Sequence, residues 1–228
     1  MRKTFDQIVE KSSETPFIKL DLQVDYTNIY KEILALDRNK FGGIISVRNK
    51  FGKNGRKGTR FDWQALAFRS IDGCEFTRKI HLSYGYDKIE NTPYSWTNSI
   101  YNCPILFKFL KERLPHKRYL KIILSQLKPR GLIRPHTDTD GHFNIWDDKN
   151  YATVNIALNC SDKFTLSYTT DNKKLPISDG DIFMFQKSKE HYAANSDYNE
   201  SRYHILIELE INDKFKELVE RSYAKNGN

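Results

Sequence analysis

Residues 119–211 alternate short β-rich runs with turn residues, and this pattern constrains the fold more than any other feature of the chain. The runs are YLKIILSQL (119–127), ATVNIAL (152–158), FTLSY (164–168), DIFMF (181–185) and YHILIELEI (203–211). Between them lie Lys128-Pro129-Arg130-Gly131, Asp171-Asn172 and Ser178-Asp179-Gly180, residue types that favour turns. Short strands punctuated in this way predict a barrel or a sandwich. The stretch is about 95 residues long, an ordinary size for a β domain.

The chain has 228 residues, which fits a single domain spanning 1–228. The expected organisation is flanking helices and strands over 1–118, a β core over 119–211 and a closing helix within 212–228. The fold class expected is mainly β with flanking helices. Residues 27–38 (TNIYKEILALDR) predict a helix with Thr27 as its cap. Gly42-Gly43 then leads into a short β run at 44–47. Residues 61–68 and 75–82 predict strands joined by a turn at Asp72-Gly73. Residues 105–114 predict an amphipathic helix stopped by Pro115, and 213–223 a last helix. The composition, with 39% hydrophobic and 29% charged residues, excludes a disordered chain.

The formal net charge of +8 is unevenly spread. Residues 48–60 (RNKFGKNGRKGTR) carry six positive charges and no negative one, while 108–134 carry nine against Glu112 alone. Such segments suit a solvated surface, or attract nucleic acid, an acidic substrate or anionic lipid. With Phe51 inside it and Trp63 just after, the 48–60 segment is compatible with single-stranded nucleic acid. Its glycines fit equally a lid over a small anion, which is the favoured reading. Cys74, Cys103 and Cys160 are odd in number and widely spaced, so neither a disulfide framework nor a zinc ribbon is expected. The first residues, MRKTFDQIVEKSSE, are charged throughout and predict no signal peptide. No window approaches the roughly 18 apolar residues of a membrane span. The expected setting is the cytoplasm, with no membrane partner. The oligomeric state is not legible.

Four residues carry the chemistry: His136, Asp138, His191 and Arg202. In extended chain, residues two apart point to one side, so the imidazole and carboxylate of His136-Thr137-Asp138 can converge on one ion. His191, 55 residues later, would add a second imidazole from a facing strand. Two histidines and a carboxylate occupy one face of an octahedral Fe(II) and leave three positions open. Zinc hydrolases use the same ligand types, so these residues alone do not fix the metal. Arg202 opens the last β run, where a guanidinium could grip a carboxylate in bidentate fashion, as a dicarboxylate co-substrate requires. His204 shares a face with Arg202 by alternation and is read as a hydrogen-bonded histidine beside the site. His81, His116 and His142 are read as surface or structural groups.

The order of these features resembles the Fe(II)/2-oxoglutarate-dependent dioxygenase superfamily, and within it the aspartyl/asparaginyl β-hydroxylase family. The resemblance runs over about residues 103–211. It is carried by Cys103-Pro104 before a helix, SQLKPRGLIRPHTD, TVNIALN, ISDGDIFMF and EHYAANSDYNESRYHILIEL. It implies a double-stranded β-helix (jelly-roll, cupin-like) core. It also implies that His136, Asp138 and His191 hold iron, that Arg202 binds the far carboxylate of 2-oxoglutarate, and that O2 is consumed. The chain departs from the animal members in two places. It has Asp138 where they have glycine, and Thr153 where they have an arginine. The inner carboxylate of 2-oxoglutarate then leans on the iron and on Asn155 or Ser125, and Thr153 is counted with them and Arg202 among the cofactor-binding residues. The nucleic-acid demethylase branch carries a second arginine where this chain has Glu208. The resemblance implies hydroxylation of an unactivated C–H in an amino acid or amino-acid-like substrate, free or peptidyl, with release of succinate and CO2. A nucleic-acid substrate using residues 48–60, or a non-catalytic or zinc-binding β-barrel, is the alternative.

Overall fold

The seven strands from residue 118 onward do not pair with their neighbours in sequence; they step back and forth between two sheets. The computed structural model describes residues 3–11, 16–37, 41–43, 63–75, 88–89, 91–138, 143–170 and 173–225. In chain order the elements are α1 (Phe5–Glu10), β1 (Phe17–Lys19), α2 (Tyr26–Ala35), β2 (Gly42–Gly43), β3 (Trp63–Ile71), β4 (Tyr94–Trp96) and α3 (Pro104–Glu112). They continue with β5 (Arg118–Leu127), β6 (Leu132–His136), β7 (Tyr151–Ala157), β8 (Phe164–Tyr168), β9 (Ile182–Phe185), β10 (His191–Asn195), β11 (Arg202–Glu210) and α4 (Asp213–Lys225).

The larger sheet runs β1-β9-β7-β11-β5-β3-β2, with β4 also on β3, and the smaller runs β6-β10-β8. Every pairing in both sheets is antiparallel. Odd-numbered strands from β5 to β11 therefore lie in one sheet and even-numbered ones in the other. That winding is a double-stranded β-helix, so the mainly β expectation with flanking helices holds.

Strand alternation divides the larger sheet into two faces. Ile122, Leu124, Val154, Ile156, Ile182, Met184, Ile205 and Ile207 point outward and pack under the helices, against Ile8, Ile29, Ile33, Leu106, Leu110, Phe215 and Leu218. Leu127, Ala157, Phe183 and Phe185 point inward and meet Phe164, Leu166, Tyr168 and Ala193. β7 is buried at every position, as a strand covered on both faces must be.

The helical half differs from expectation in detail. Asp25, not Thr27, caps α2, its carboxylate accepting the Asn28 N–H at 3.3 Å, so the helix begins one residue earlier. It also ends at Ala35, because Leu36 turns extended. α1, β1 and β4 were not anticipated. α1 is announced by a capping box in which Thr4 and Gln7 each serve the other's backbone N–H. β3 begins at Trp63 and reaches Ile71, past the expected end at residue 68. Its closing turn is at Asp72-Gly73 as expected, both residues at positive φ. The expected run at 44–47, the 48–60 segment and the strand over 76–82 lie outside the described residues, as do His81 and His142. Among the described residues, no helix is long and apolar enough to cross a membrane.

Candidate metal centre

β6 and β10 lie side by side in the smaller sheet, with His136 directly opposite His191. The 54 residues between them are spent on one full circuit of both sheets. The register shifts between His191 and Ala193, a local irregularity at the point where the imidazoles meet. Their ring centroids are 4.4 Å apart. Asp138 follows β6, and its backbone N–H donates to Lys187 O at 3.0 Å, which turns the carboxylate toward the same point. One ligand atom from each of His136, Asp138 and His191 lies within 4.8 Å of the other two. Ligands held about 2.1 Å from one ion at right angles sit roughly 3 Å apart, so one metal can reach all three with small adjustments.

The histidines are prepared for such an ion. Each ring holds its Nδ1 against the backbone carbonyl two residues earlier, His136 to Arg134 O at 2.8 Å and His191 to Lys189 O at 2.9 Å. Those carbonyls accept the Nδ1–H and leave each Nε2 facing the common point, where it offers a lone pair to an ion once it carries no proton. His136 Nε2 lies 3.4 Å from Asp138 Oδ1. That hydrogen bond is the main reason the His136 imidazole is raised above its usual value. Burial lowers His191. Burial alone would raise Asp138, but the His136 hydrogen bond and the charge of Lys187 together hold its carboxyl below the usual range. The place where the three ligand atoms meet is thus one that attracts a cation. The donor set suits a divalent iron.

The second half of the site lies on the inner face of the larger sheet. Along β11, Arg202, His204, Leu206 and Glu208 alternate inward while Tyr203, Ile205, Ile207 and Leu209 face the helices. Register fixes their neighbours: Arg202 stands beside Leu127, His204 between Ser125 and Ala157, Leu206 beside Asn155, and Glu208 beside Thr153. The expected residues Ser125, Thr153, Asn155 and Arg202 therefore share one face, and all are buried. Ser125 Oγ accepts from Trp63 Nε1 at 2.7 Å. The Thr153 hydroxyl already donates to Phe143 O. Asn155 Nδ2 is buried with no hydrogen-bond partner among the described residues.

Arg202 is 5% exposed. Its guanidinium lies 3.8 Å from the Phe164 ring centroid, with Nη1 against His204 Nδ1 and Nη2 at 4.0 Å from Cys160 Sγ. Its Nε has no partner among the described residues. Among the described residues no carboxylate pairs with it. Burial and the neighbouring Arg202 charge push His204 well below its ordinary value, so it faces the guanidinium as a neutral acceptor. His116 stacks on Tyr119 at 3.7 Å between centroids and is structural, as expected.

Two charged residues here were not picked out from the sequence as site groups. Lys187 and Glu208 form an ion pair at 3.6 Å, with side chains 6% and 13% exposed. The inward alternation Phe183, Phe185, Lys187 was the available signal. It is masked because Gln186-Lys187-Ser188 reads as the start of a turn.

The sequence model of the family described as Aspartyl/Asparaginyl beta-hydroxylase matches residues 23–211. No curated protein matches the chain. Similar solved structures include a Trichoplax adhaerens prolyl hydroxylase in complex with a hypoxia inducible factor oxygen degradation domain peptide fragment. That structure is 15% identical, with 94% of this chain and 91% of that chain covered and a TM-score of 0.47. The viral collagen prolyl hydroxylase of Paramecium Bursaria Chlorella virus-1, a 2OG complex, is 13% identical over 88% and 98% of the two chains, with a TM-score of 0.44. A Pseudomonas putida prolyl-4-hydroxylase is 9% identical over 91% and 99%, with a TM-score of 0.46. These likenesses are too distant to carry residue roles. The family match covers most of the chain and the whole β core, and on that ground the chain belongs to the aspartyl/asparaginyl β-hydroxylase family, a branch of the Fe(II)- and 2-oxoglutarate-dependent oxygenases.

Proposed function

We propose that this oxygenase hydroxylates an unactivated C–H of an amino acid or amino-acid-like substrate, free or peptidyl, with release of succinate and CO2. In this reading His136, Asp138 and His191 hold Fe(II), and Arg202 holds the far carboxylate of 2-oxoglutarate. The observation that carries it is Arg202. A guanidinium buried this deeply without a carboxylate is costly unless a ligand supplies one. A dicarboxylate reaching from the metal along the inner face would do so, with Arg202 as a bidentate donor. The neutral His204 accepts from the guanidinium and so orients its fork.

Asn155 and Ser125 lie between Arg202 and the level of Thr153, and the free Nδ2 protons of Asn155 make it the better donor to the inner end. Thr153 is not a donor in this scheme, because its proton is already committed to Phe143 O. When bound, the iron supplies oxygen activation coupled to decarboxylation of the 2-oxo acid. The chain's own task is to fix both ends of the co-substrate, hold the imidazole tautomers and keep bulk water out with Phe164, Phe183 and Phe185. The nucleic-acid alternative rests on residues 48–60, which lie outside the described residues.

The test is turnover by the purified protein. Succinate should form from 2-oxoglutarate only with both Fe(II) and O2, and an amino-acid or peptide panel should yield a product one oxygen heavier. No succinate across that panel, coupled or uncoupled, would overturn the reading. Zinc in anaerobically purified protein, with no spectroscopic change when Fe(II) and 2-oxoglutarate are added, would favour the zinc alternative.

A further inference from the structure

Lys187 is a buried cation that the reading above leaves without work. Its side chain is 6% exposed, and it lies at the metal end of the inner face. Its carbonyl accepts the Asp138 N–H, so its backbone is fastened to one candidate ligand. Its charge reaches two of them: it opposes burial at Asp138 and adds slightly to the burial that lowers His191. Its ammonium is 5.8 Å from the Phe143 ring centroid and 3.6 Å from Glu208 Oε1. That pair is longer than the roughly 2.7–2.9 Å of a good charged hydrogen bond, so the ammonium keeps protons to give.

The position is as informative as the charge. Glu208 stands opposite Thr153, and the pairing places the Lys187 ammonium at that same level of the barrel. Arg202 lies six residues back along β11, at the far end of the inner face. A 2-oxo acid gripped by Arg202 at one end and by the metal at the other has its remaining carboxylate oxygen at the metal end. In a dry site that oxygen needs a donor with positive charge. The charges also balance. With a divalent metal and a dianionic co-substrate in place, Asp138, Glu208, Lys187 and Arg202 bring the site to neutrality. Without Lys187 it would hold one uncompensated negative charge.

We infer that Lys187 is the cation that binds the inner carboxylate of the 2-oxo acid, with Glu208 as its counter-charge when no ligand is bound. This rests on the proposed co-substrate role, and the test separates the two. Binding of 2-oxoglutarate and of pyruvate to the Mn(II)-loaded protein is measured by calorimetry without turnover. Pyruvate keeps the 2-oxo acid head and lacks the far carboxylate. Lys187→Met should weaken both acids by roughly 10–100-fold, the worth of a hydrogen bond to a charged group. Arg202→Met should weaken 2-oxoglutarate alone. Because Lys187→Met strands Glu208, the double variant Lys187→Met/Glu208→Met is measured beside it, and Lys187→Arg should keep most of the affinity. If the wild type binds 2-oxoglutarate and the double variant binds both acids within about twofold of it, the inference is wrong and the co-substrate reading stands. If Lys187→Met raises only the KM of the hydroxylated substrate, Lys187 serves that substrate and the inference is again overturned. If the wild type binds neither acid, the co-substrate reading itself falls, and this inference with it.

Discussion

The two ends of the barrel interior hold opposite kinds of incompleteness. At the metal end, His136, Asp138 and His191 answer one another, and the pair His136–Asp138 closes at 3.4 Å. At the other end, Arg202 has an aromatic ring, a neutral imidazole and a thiol around it and, among the described residues, no anion. The first end can share a proton where a metal would go. The second has no such substitute, because an arginine does not lose its charge in a protein. Metal ligands can thus be assembled on one small sheet and rest in a neutralised state. The Arg202 end holds a buried cation with no carboxylate beside it among the described residues, and the larger sheet has to bear that cost.

This contrast yields effects of decreasing size. His136→Ala or His191→Ala should abolish metal binding and turnover together, a loss of at least about a thousandfold read from metal titration and succinate yield. Arg202→Ala should leave metal affinity within a few-fold of the wild type and raise the KM for 2-oxoglutarate by roughly a hundredfold, the loss of a bidentate charged contact. Equal loss of metal binding in the Arg202 and His191 variants would show that the two ends are one unit. Next comes Asn195→Ala. The Asn195 amide donates to Leu127 O, Lys128 O and Glu200 O, tying the end of β10 to the turn before β6 and to the approach to β11. Leaving those carbonyls unpaired should cost about 1–3 kcal/mol in urea unfolding and raise the KM for 2-oxoglutarate modestly, since Arg202 is two residues beyond Glu200.

The smallest effect is a slope with pH. His204 sits well below its ordinary value of 6.5 and is neutral in the fold, as burial and Arg202 require. Unfolding lets it take a proton, so its contribution to stability is complete above about pH 6.5 and drains away as pH falls below that. His116 is shifted in the same direction, chiefly by burial, and adds to the slope. Metal-free protein should therefore lose stability between neutral and mildly acid pH, and His204→Gln should flatten that loss. A profile unchanged by His204→Gln would mean that the imidazole is not neutral beside Arg202.

The β core was legible in the sequence because alternation and turn residues agree along it. β11 shows the reason most plainly: Tyr203, Ile205, Ile207 and Leu209 are a period-two stripe bounded by Ser201 and Asn212. The convergence of His136 and Asp138 follows from the same period. Partnership between β6 and β10 does not, since no local signal says which strand a strand will pair with. Lys187 was hidden because its strand ends two residues earlier. In the helical half, Asp25 prevailed over Thr27 as a cap by position and charge. α1, although marked by Thr4 and Gln7, is only six residues long and gains its stability from α4, where Glu220 accepts the Phe5 N–H at 2.8 Å.

The place of β11 also bears on how the chain reaches this state. The last strand in sequence is inserted between β5 and β7, which were made long before it. Until β11 arrives, both of those strands present open, hydrophobic edges, and Arg202 has no barrel to enter. The pairing of β11 with β5 joins residues far apart in sequence, such as Glu210 and Arg118, and non-local pairings of this kind slow folding. A chain stalled before residue 202 exposes two unpaired edges, the kind of surface on which strands from other copies add and aggregates begin.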